Sequence, residues 1–472
     1  MGQEITQTEF TSEDFARFHH KLKEETGKLV LLEERGALST RQPVGGFEIE
    51  AWLVDATMRP APVNDRYLEL LSDPLASAEL ARFNVELNNL PRLLKDDALQ
   101  RFHHDLESIW HQAYRTARRL NIHLLMIGIL PTLRQSDLSL ANMSPLNRYR
   151  ALNEQILKQR GQPLHLEITG HEHLECVHDD VMLESAATSF QIHLQAPLEK
   201  AVALYNASIM ASAATVAAGA NSPYLFGRDL WAETRIPVFE QSIDIGGYGD
   251  AIHGPLQRVG FGNSYVRQRI TEVFEENLAH FPPLLPILFE DDTEQLPHLR
   301  LHNGTIWRWN RPLVGFDQDG TAHFRIEHRV LPAGPTLVDM IANSALYYGL
   351  AESLSHEPTL LPFAQARDNF YLAAKYSWEA HITWFGDRRW RLRKLLLDEL
   401  IPLAREGLQR LGICHRDSEF YLGIIRQRVS ADQNGSQWQR RYVATYGKDF
   451  RQLTQTYLHL QQQGKPVHTW PI

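Results

Sequence analysis

Four short stretches of this chain alternate apolar residues with side chains that can bind ligands, and this constrains its fold more than any other feature. They are Phe47-Glu48-Ile49-Glu50, Asn84-Val85-Glu86-Leu87-Asn88, Phe190-Gln191-Ile192-His193-Leu194-Gln195 and Phe324-Arg325-Ile326-Glu327-His328-Arg329. A strand sends successive side chains to opposite faces. Phe47/Ile49, Val85/Leu87, Ile192/Leu194 and Phe324/Ile326 can therefore pack into a core. If the strands share a sheet, the other face gathers Glu48, Glu50, Glu86, His193, Glu327, Arg325 and Arg329. So many close carboxylates would repel and raise one another's pKa. A hard divalent cation, Mg²⁺ or Mn²⁺, relieves that repulsion, since it prefers carboxylate oxygen, tolerates imidazole and recruits phosphate. The pattern points to a metal–nucleotide site.

The remaining composition narrows the class. Formal net charge is 48 − 57 = −9, with no dominant Lys/Arg tract, which argues against a nucleic-acid partner. Cys176 and Cys414 are far apart and form no CxxC pair, so a reducing, cytoplasmic setting fits. The acidic, polar start of the chain does not read as a signal peptide, and its Met1-Gly2 lacks the Ser or Thr of a myristoylation motif. Residues 201–227 carry no charge, but Ala and Ser dominate the run. It reads as a buried helix over 201–220 and not as a membrane span.

Helical spacing is expected over 11–40 and through Leu99, Phe102, Leu106, Ile109, Ala113, Ala117 and Leu120. His123–Leu130 reads as a buried strand closed by Pro131, and 132–185 as polar loops and helical pieces. Gly246-Gly247 and Gly260/Gly262 mark loops. Residues 300–330 read as a strand pair turning at Asp317–Gly320, and the chain becomes mainly helical after Pro335. The expected fold class is α+β: a curved, mainly antiparallel sheet with a metal- and ATP-binding face, packed by helices. One catalytic domain is expected over 1–472, with a helical segment over about 1–40, a sheet-bearing core over about 45–335 and a helical part over about 336–472.

The motifs, taken in order, resemble the carboxylate–amine ligases related to bacterial glutamate–cysteine ligase, which have a glutamine-synthetase-like catalytic fold akin to that of guanidino kinases. The residues carrying the resemblance are Gly46-Phe-Glu-Ile-Glu50, Glu79, Val85-Glu86-Leu-Asn88, Gln191-Ile-His193, Ala220-Asn-Ser-Pro-Tyr-Leu-Phe-Gly227, Thr305-Ile-Trp-Arg-Trp-Asn-Arg311, Arg325-Ile-Glu327-His-Arg329, Ala333-Gly-Pro-Thr336 and Ala342-Asn343. The resemblance implies ATP and Mg²⁺ (or Mn²⁺) as cofactors. It implies that Glu48, His193 and Glu327 hold the metal beside the ATP phosphates, with Gln191, His193 and Arg325 lining the nucleotide. Glu50 and Glu86 would ligate a metal nearer the acceptor carboxylate, with Glu79 a looser match. Arg235, Arg311 and Arg329 would be the catalytic guanidiniums on the γ-phosphate or the substrate carboxylate. The substrates would be small molecules, an amino acid such as glutamate and an amine, with cysteine the family's best-known acceptor. A homo-oligomer would be compatible.

Structural alternatives stand beside these roles. Alternating Glu residues commonly face solvent on an edge strand, and Arg325 and Arg329 could serve only as salt-bridge partners. Trp307 and Trp309 fit packing better than substrate contact. Asn221 fits a helix cap, and Asn88 either a sheet-end cap or a substrate contact. The His-rich run His165, His171, His173, Cys176 and His178 has neither HExxH nor CxxC, so it does not read as a zinc site. No Walker-type loop occurs, so ATP must be held another way. Other donor acids or amines, a phosphotransferase, and a silent ligand-binding protein on the same fold remain alternatives.

Overall fold

The computed structural model describes residues 4–5, 7–246, 256–289, 293–386 and 388–472. Met1, Gly2 and Gly247, named above, lie outside the described residues. Eight strands build the main sheet: β1 Val44–Val54, β2 Ala76–Ala78, β3 Asn84–Asn88, β4 Arg92–Leu93, β5 His123–Leu125, β6 Ser189–Ala196, β7 Asn310–Phe316 and β8 Ala322–Pro332. Their order is β7-β8-β6-β1-β3-β2, with β4 and β5 also pairing to β1. Every pairing is antiparallel. All four alternating stretches therefore lie in one sheet, as their period-2 pattern requires.

The apolar positions of β1, β6 and β8 (Phe47, Ile49, Ile192, Leu194, Phe324 and Ile326) belong to the main core. Val85 and Leu87 join Ala51 and Leu53 in a second cluster with Ala113 and Ala117 of helix α1, Ala98–Arg119. Helix α2, Ala201–Gly219, is the uncharged run, and it packs against β8 and helix α3, Leu337–Leu354. By length and apolarity α2 could cross a membrane, but 89% of its apolar window is buried inside the protein. Its Ala and Ser side chains let neighbouring backbones approach closely, which suits a helix enclosed on every side.

Helix α4, Ile401–Arg410, crosses α3 at two glycines. A Cβ on Gly407 would strike the Gly349 carbonyl oxygen, and one on Gly349 would strike the Ala404 backbone. Because the obstacle is backbone, relief requires the helices to part. Gly407→Ala is expected to cost about 1–3 kcal/mol of stability, as overpacked cores do. Thermal unfolding would measure it, and an unchanged midpoint would mean the crossing tolerates a methyl group.

Three expectations change. Only His123–Leu125 of the 123–130 run forms strand. Beyond it, Met126 turns from the ladder to side chains of the C-terminal helix Phe450–Gln462: its N–H donates to Gln461 Oε1 (3.1 Å), and its carbonyl accepts from Gln461 Nε2 (2.7 Å) and Tyr457 (3.1 Å). The 132–185 region, expected to be loop and helix, also contains a hairpin, Leu164–Thr169 with His173–His178. Asn221 does not cap α2, since its side-chain amide donates to the Ala333 carbonyl and the Tyr457 hydroxyl, both at 2.8 Å.

Candidate active site

Register fixes the composition of the polar face. Glu327 of β8 lies opposite Arg311 of β7 on one side and His193 of β6 on the other. Glu48 of β1 lies opposite Gln191 of β6 and Asn88 of β3, and Glu50 lies opposite Glu86. Strand parity then sends Arg311, Glu327, His193, Gln191, Glu48, Glu50 and Glu86 to the same side.

At its centre, one ligand atom each from Glu48, His193 and Glu327 lies within 4.8 Å of the others. These side chains are 12%, 7% and 3% exposed. His193 Nε2 is 3.0 Å from Glu48 Oε1, yet neither ring nitrogen makes a hydrogen bond of acceptable geometry. A nearly buried imidazole left unpartnered between two carboxylates is costly unless something else binds there. The donor set, two carboxylates and an imidazole, suits a divalent cation. His193 is also fixed from behind, because its carbonyl accepts from Tyr348 of α3 at 3.0 Å. Gly45 leaves the space into which that tyrosine hydroxyl reaches.

Cations crowd one side of this centre. Arg311 grips Glu327 with two bonds, Nε to Oε2 at 2.7 Å and Nη2 to Oε1 at 3.1 Å. Arg329 Nη1 adds a third at 3.0 Å and also donates to Gln191 Oε1 at 2.5 Å. Burial alone would raise the Glu327 pKa, but Arg311 and Arg329 outweigh it and hold the carboxyl well below its usual range. Burial likewise opposes ionisation of Glu48, but the adjacent His193 brings it down to about 2. The ladder between β6 and β8 is irregular between His328 and Leu331. Such a bulge re-aims side chains.

Acids crowd the other side. Glu50 accepts from the Ser189 N–H and hydroxyl, both at 2.7 Å, and from Gln191 Nε2 at 2.9 Å. Glu86 is 3% exposed and accepts from Asn88 Nδ2 at 2.8 Å. Burial first, then Glu48 and Glu79, push the Glu86 carboxyl well above its ordinary value. Burial, Glu50 and Glu184 raise Glu79 to about 8, and burial with Glu50 raises Glu184 to about 8. Sequence reading did not single out Glu184. It sits on the 3₁₀ segment Val181–Ala186, where no periodicity marks a functional position. Strained carboxyls of this kind favour a bound cation that restores ionisation.

Two expected contacts look different. Arg235 is 3% exposed and turned onto the backbone of the bulge, its Nη2 donating to the carbonyls of Val330 (2.6 Å) and Arg329 (3.2 Å) and its Nε to Glu233 (3.2 Å). Arg325 lies opposite Gln195 and Leu313, one step beyond Glu327 along the face, and its Nε has no hydrogen-bond partner. His328 faces away from the site. It is fully buried, stacks on Tyr347 at 4.0 Å, bonds to Thr215 (2.9 Å) and Asn310 (2.7 Å), and burial lowers its pKa to about 3. The His-rich run is the surface hairpin, where His165 pairs with Glu175 at 2.8 Å. Among the described residues the Glu48–His193–Glu327 cluster is the one His/Cys/Asp/Glu group that brings three ligand atoms together.

A family model described as glutamate-cysteine ligase family 2 matches residues 44–463. None of the curated proteins matches the sequence. Among solved structures, a glutamate–cysteine ligase from Francisella tularensis in complex with AMP superposes with a TM-score of 0.53 at 10% identity, covering 92% of this chain and 90% of that one. A bifunctional glutathione synthetase from Pasteurella multocida gives 0.55 at 12% identity, covering 92% of this chain and 54% of that one. This chain therefore spans about half the length of the synthetase. At these identities the likeness is one of fold.

Proposed function

Because the chain belongs to glutamate-cysteine ligase family 2, we propose that it is an ATP-dependent carboxylate–amine ligase. The reading has the γ-phosphoryl group of ATP pass to a donor carboxylate, the γ-carboxylate of glutamate or a similar acid. The resulting acyl phosphate is attacked by an amine, giving an amide, ADP and phosphate. The observation that carries it is the buried Glu48–His193–Glu327 cluster flanked by Arg311 and Arg329. Phosphoryl transfer to a carboxylate brings two anions together, so it needs cationic groups on both.

Glu48, His193 and Glu327 would hold one Mg²⁺ or Mn²⁺, and Glu50 and Glu86, with Glu79 and Glu184 beside them, a second. Bound there, the metals supply charge neutralisation along the phosphate chain. Arg329 keeps a guanidinium at the reacting centre, and its fork suits paired phosphate or carboxylate oxygens. Arg311 fixes the Glu327 carboxylate, and Arg235 fixes the backbone carrying Arg329, so it acts as a positioning residue. Arg325 and Gln195 extend the face toward the nucleotide. Adenine-nucleotide use agrees with the AMP complex of the similar Francisella protein. A single cytoplasmic catalytic domain acting on small molecules completes the reading.

Donor acid carrying isotope-labelled carboxylate oxygen tests the route. Label recovered in inorganic phosphate supports the acyl phosphate, and label released to AMP or water with none in phosphate contradicts it. The metal assignment has its own test. Mg²⁺ at a hundred times its Kd should stabilise the wild type by about 2.7 kcal/mol. His193→Ala should lose most of that gain in thermal unfolding with and without metal, and an undiminished gain would place the ion elsewhere.

A further inference from the structure

Next to the reacting centre stands a carboxylate without a cation. Glu240 closes the helix Arg235–Ser242, and its Oε1 accepts from Trp309 Nε1 at 2.8 Å and from the Tyr371 hydroxyl at 2.6 Å. Among the described residues no Lys, Arg or His lies within ion-pair distance of it, and Oε2 has no hydrogen-bond partner. The residue is only partly exposed, and burial raises its pKa to about 7 despite the two donors. The surroundings are aromatic. Phe239 packs edge-on against Trp307 (6.3 Å) and Trp309 (5.8 Å), and Phe370 bridges Trp309 (6.0 Å) and Tyr371 (5.2 Å).

The same rings border the catalytic face. The Arg329 guanidinium carbon lies 5.8 Å from the Phe239 ring centre, and that of Arg235 lies 5.4 Å from Trp309. The Arg329 N–H donates to the Trp309 carbonyl at 2.9 Å. The Phe239 and Trp309 rings therefore link the proposed phosphoryl-transfer centre to Glu240. A carboxylate oriented by two donors, with one oxygen free and aromatic walls around it, has the chemistry of an organic-ammonium seat.

We propose that Glu240, framed by Phe239, Trp307, Trp309 and Tyr371, seats a cationic group on the acceptor amine, a reading that rests on the ligase assignment above. The acceptor class is then amines with a second positive charge, diamines first among them. The attacking nitrogen reacts as the free amine while the distal ammonium sits at Glu240.

The test compares diaminobutane with aminobutanol of the same length as acceptors for the full chain with Mg²⁺-ATP and glutamate. It is paired with calorimetric binding of tetramethylammonium, which cannot be ligated. Wild type should favour the diamine in kcat/KM by roughly tenfold or more, and Glu240→Gln should bring that ratio close to one. Equal use of both acceptors by wild type would overturn the seat while leaving the ligase standing. If neither acceptor is joined, tetramethylammonium binding that Glu240→Gln weakens roughly tenfold keeps the cation seat and excludes only these two amines with glutamate as the substrates. Absence of tetramethylammonium binding to wild type overturns the seat. Should the variant fail to fold, the wild-type preference and binding decide alone.

Discussion

Glu327→Gln is expected to cut turnover by at least about 10²–10³-fold, the scale seen when a single charge-stabilising group leaves an active site. The carboxylate takes two bonds from Arg311 and one from Arg329 while facing His193 across the ladder. An amide has one acceptor oxygen, and its NH₂ would point at a guanidinium. The substitution removes a carboxylate from the proposed metal cluster and also strips two nearly buried arginines of their counter-charge. Breaking such a pair costs about 3–5 kcal/mol. Stability should therefore fall with activity, and the decisive quantity is kcat per folded molecule, measured alongside metal affinity. Near-normal kcat in the folded fraction would remove Glu327 from the chemistry and leave it a structural partner of Arg311.

Arg329→Lys is expected to lower kcat/KM by about 10²-fold with a smaller change in stability. Arg329 spans Gln191 and Glu327 through one nitrogen while its Nε stays unpaired, so the fork has capacity left for an incoming anion. A lysine ammonium keeps the charge but can neither bridge the two strands nor present a second parallel donor. The matched variant Arg235→Lys separates contact from positioning. Its donors go to the carbonyls of Val330 and Arg329, so its loss should be smaller and should track disorder of the bulge. Wild-type kinetics for Arg329→Lys would reduce Arg329 to a salt bridge.

The polar face was legible because period 2 is a strict rule. Once Glu48/Glu50, Glu86, His193 and Glu327 stood on strands, antiparallel pairing left them no other side. What the alternation could not encode was the irregularity after His328, whose backbone carbonyls accept from Arg235, a residue that only the family resemblance brought forward. Glu184 was invisible because a 3₁₀ turn imposes no repeat on its sequence. The hairpin at 164–178 did carry a signal, since Leu164, Leu166 and Ile168 are buried between exposed His165, Glu167 and Thr169. The apolar run to Leu130 misled in the opposite direction. Burial of Met126 and its neighbours is real, but Gln461 and Tyr457, more than three hundred residues away in sequence, supply the hydrogen bonds that a strand partner would have given.

The most direct test of the central claim is ADP release from Mg²⁺-ATP and glutamate across a panel of amino acids, diamines and other small amines, with mass spectrometry of the products. The expected result is ADP release that depends on the amine and matches, mole for mole, a γ-glutamyl amide. ADP release with no amide from any amine, leaving a phosphorylated product, would instead identify a phosphotransferase and contradict the ligase.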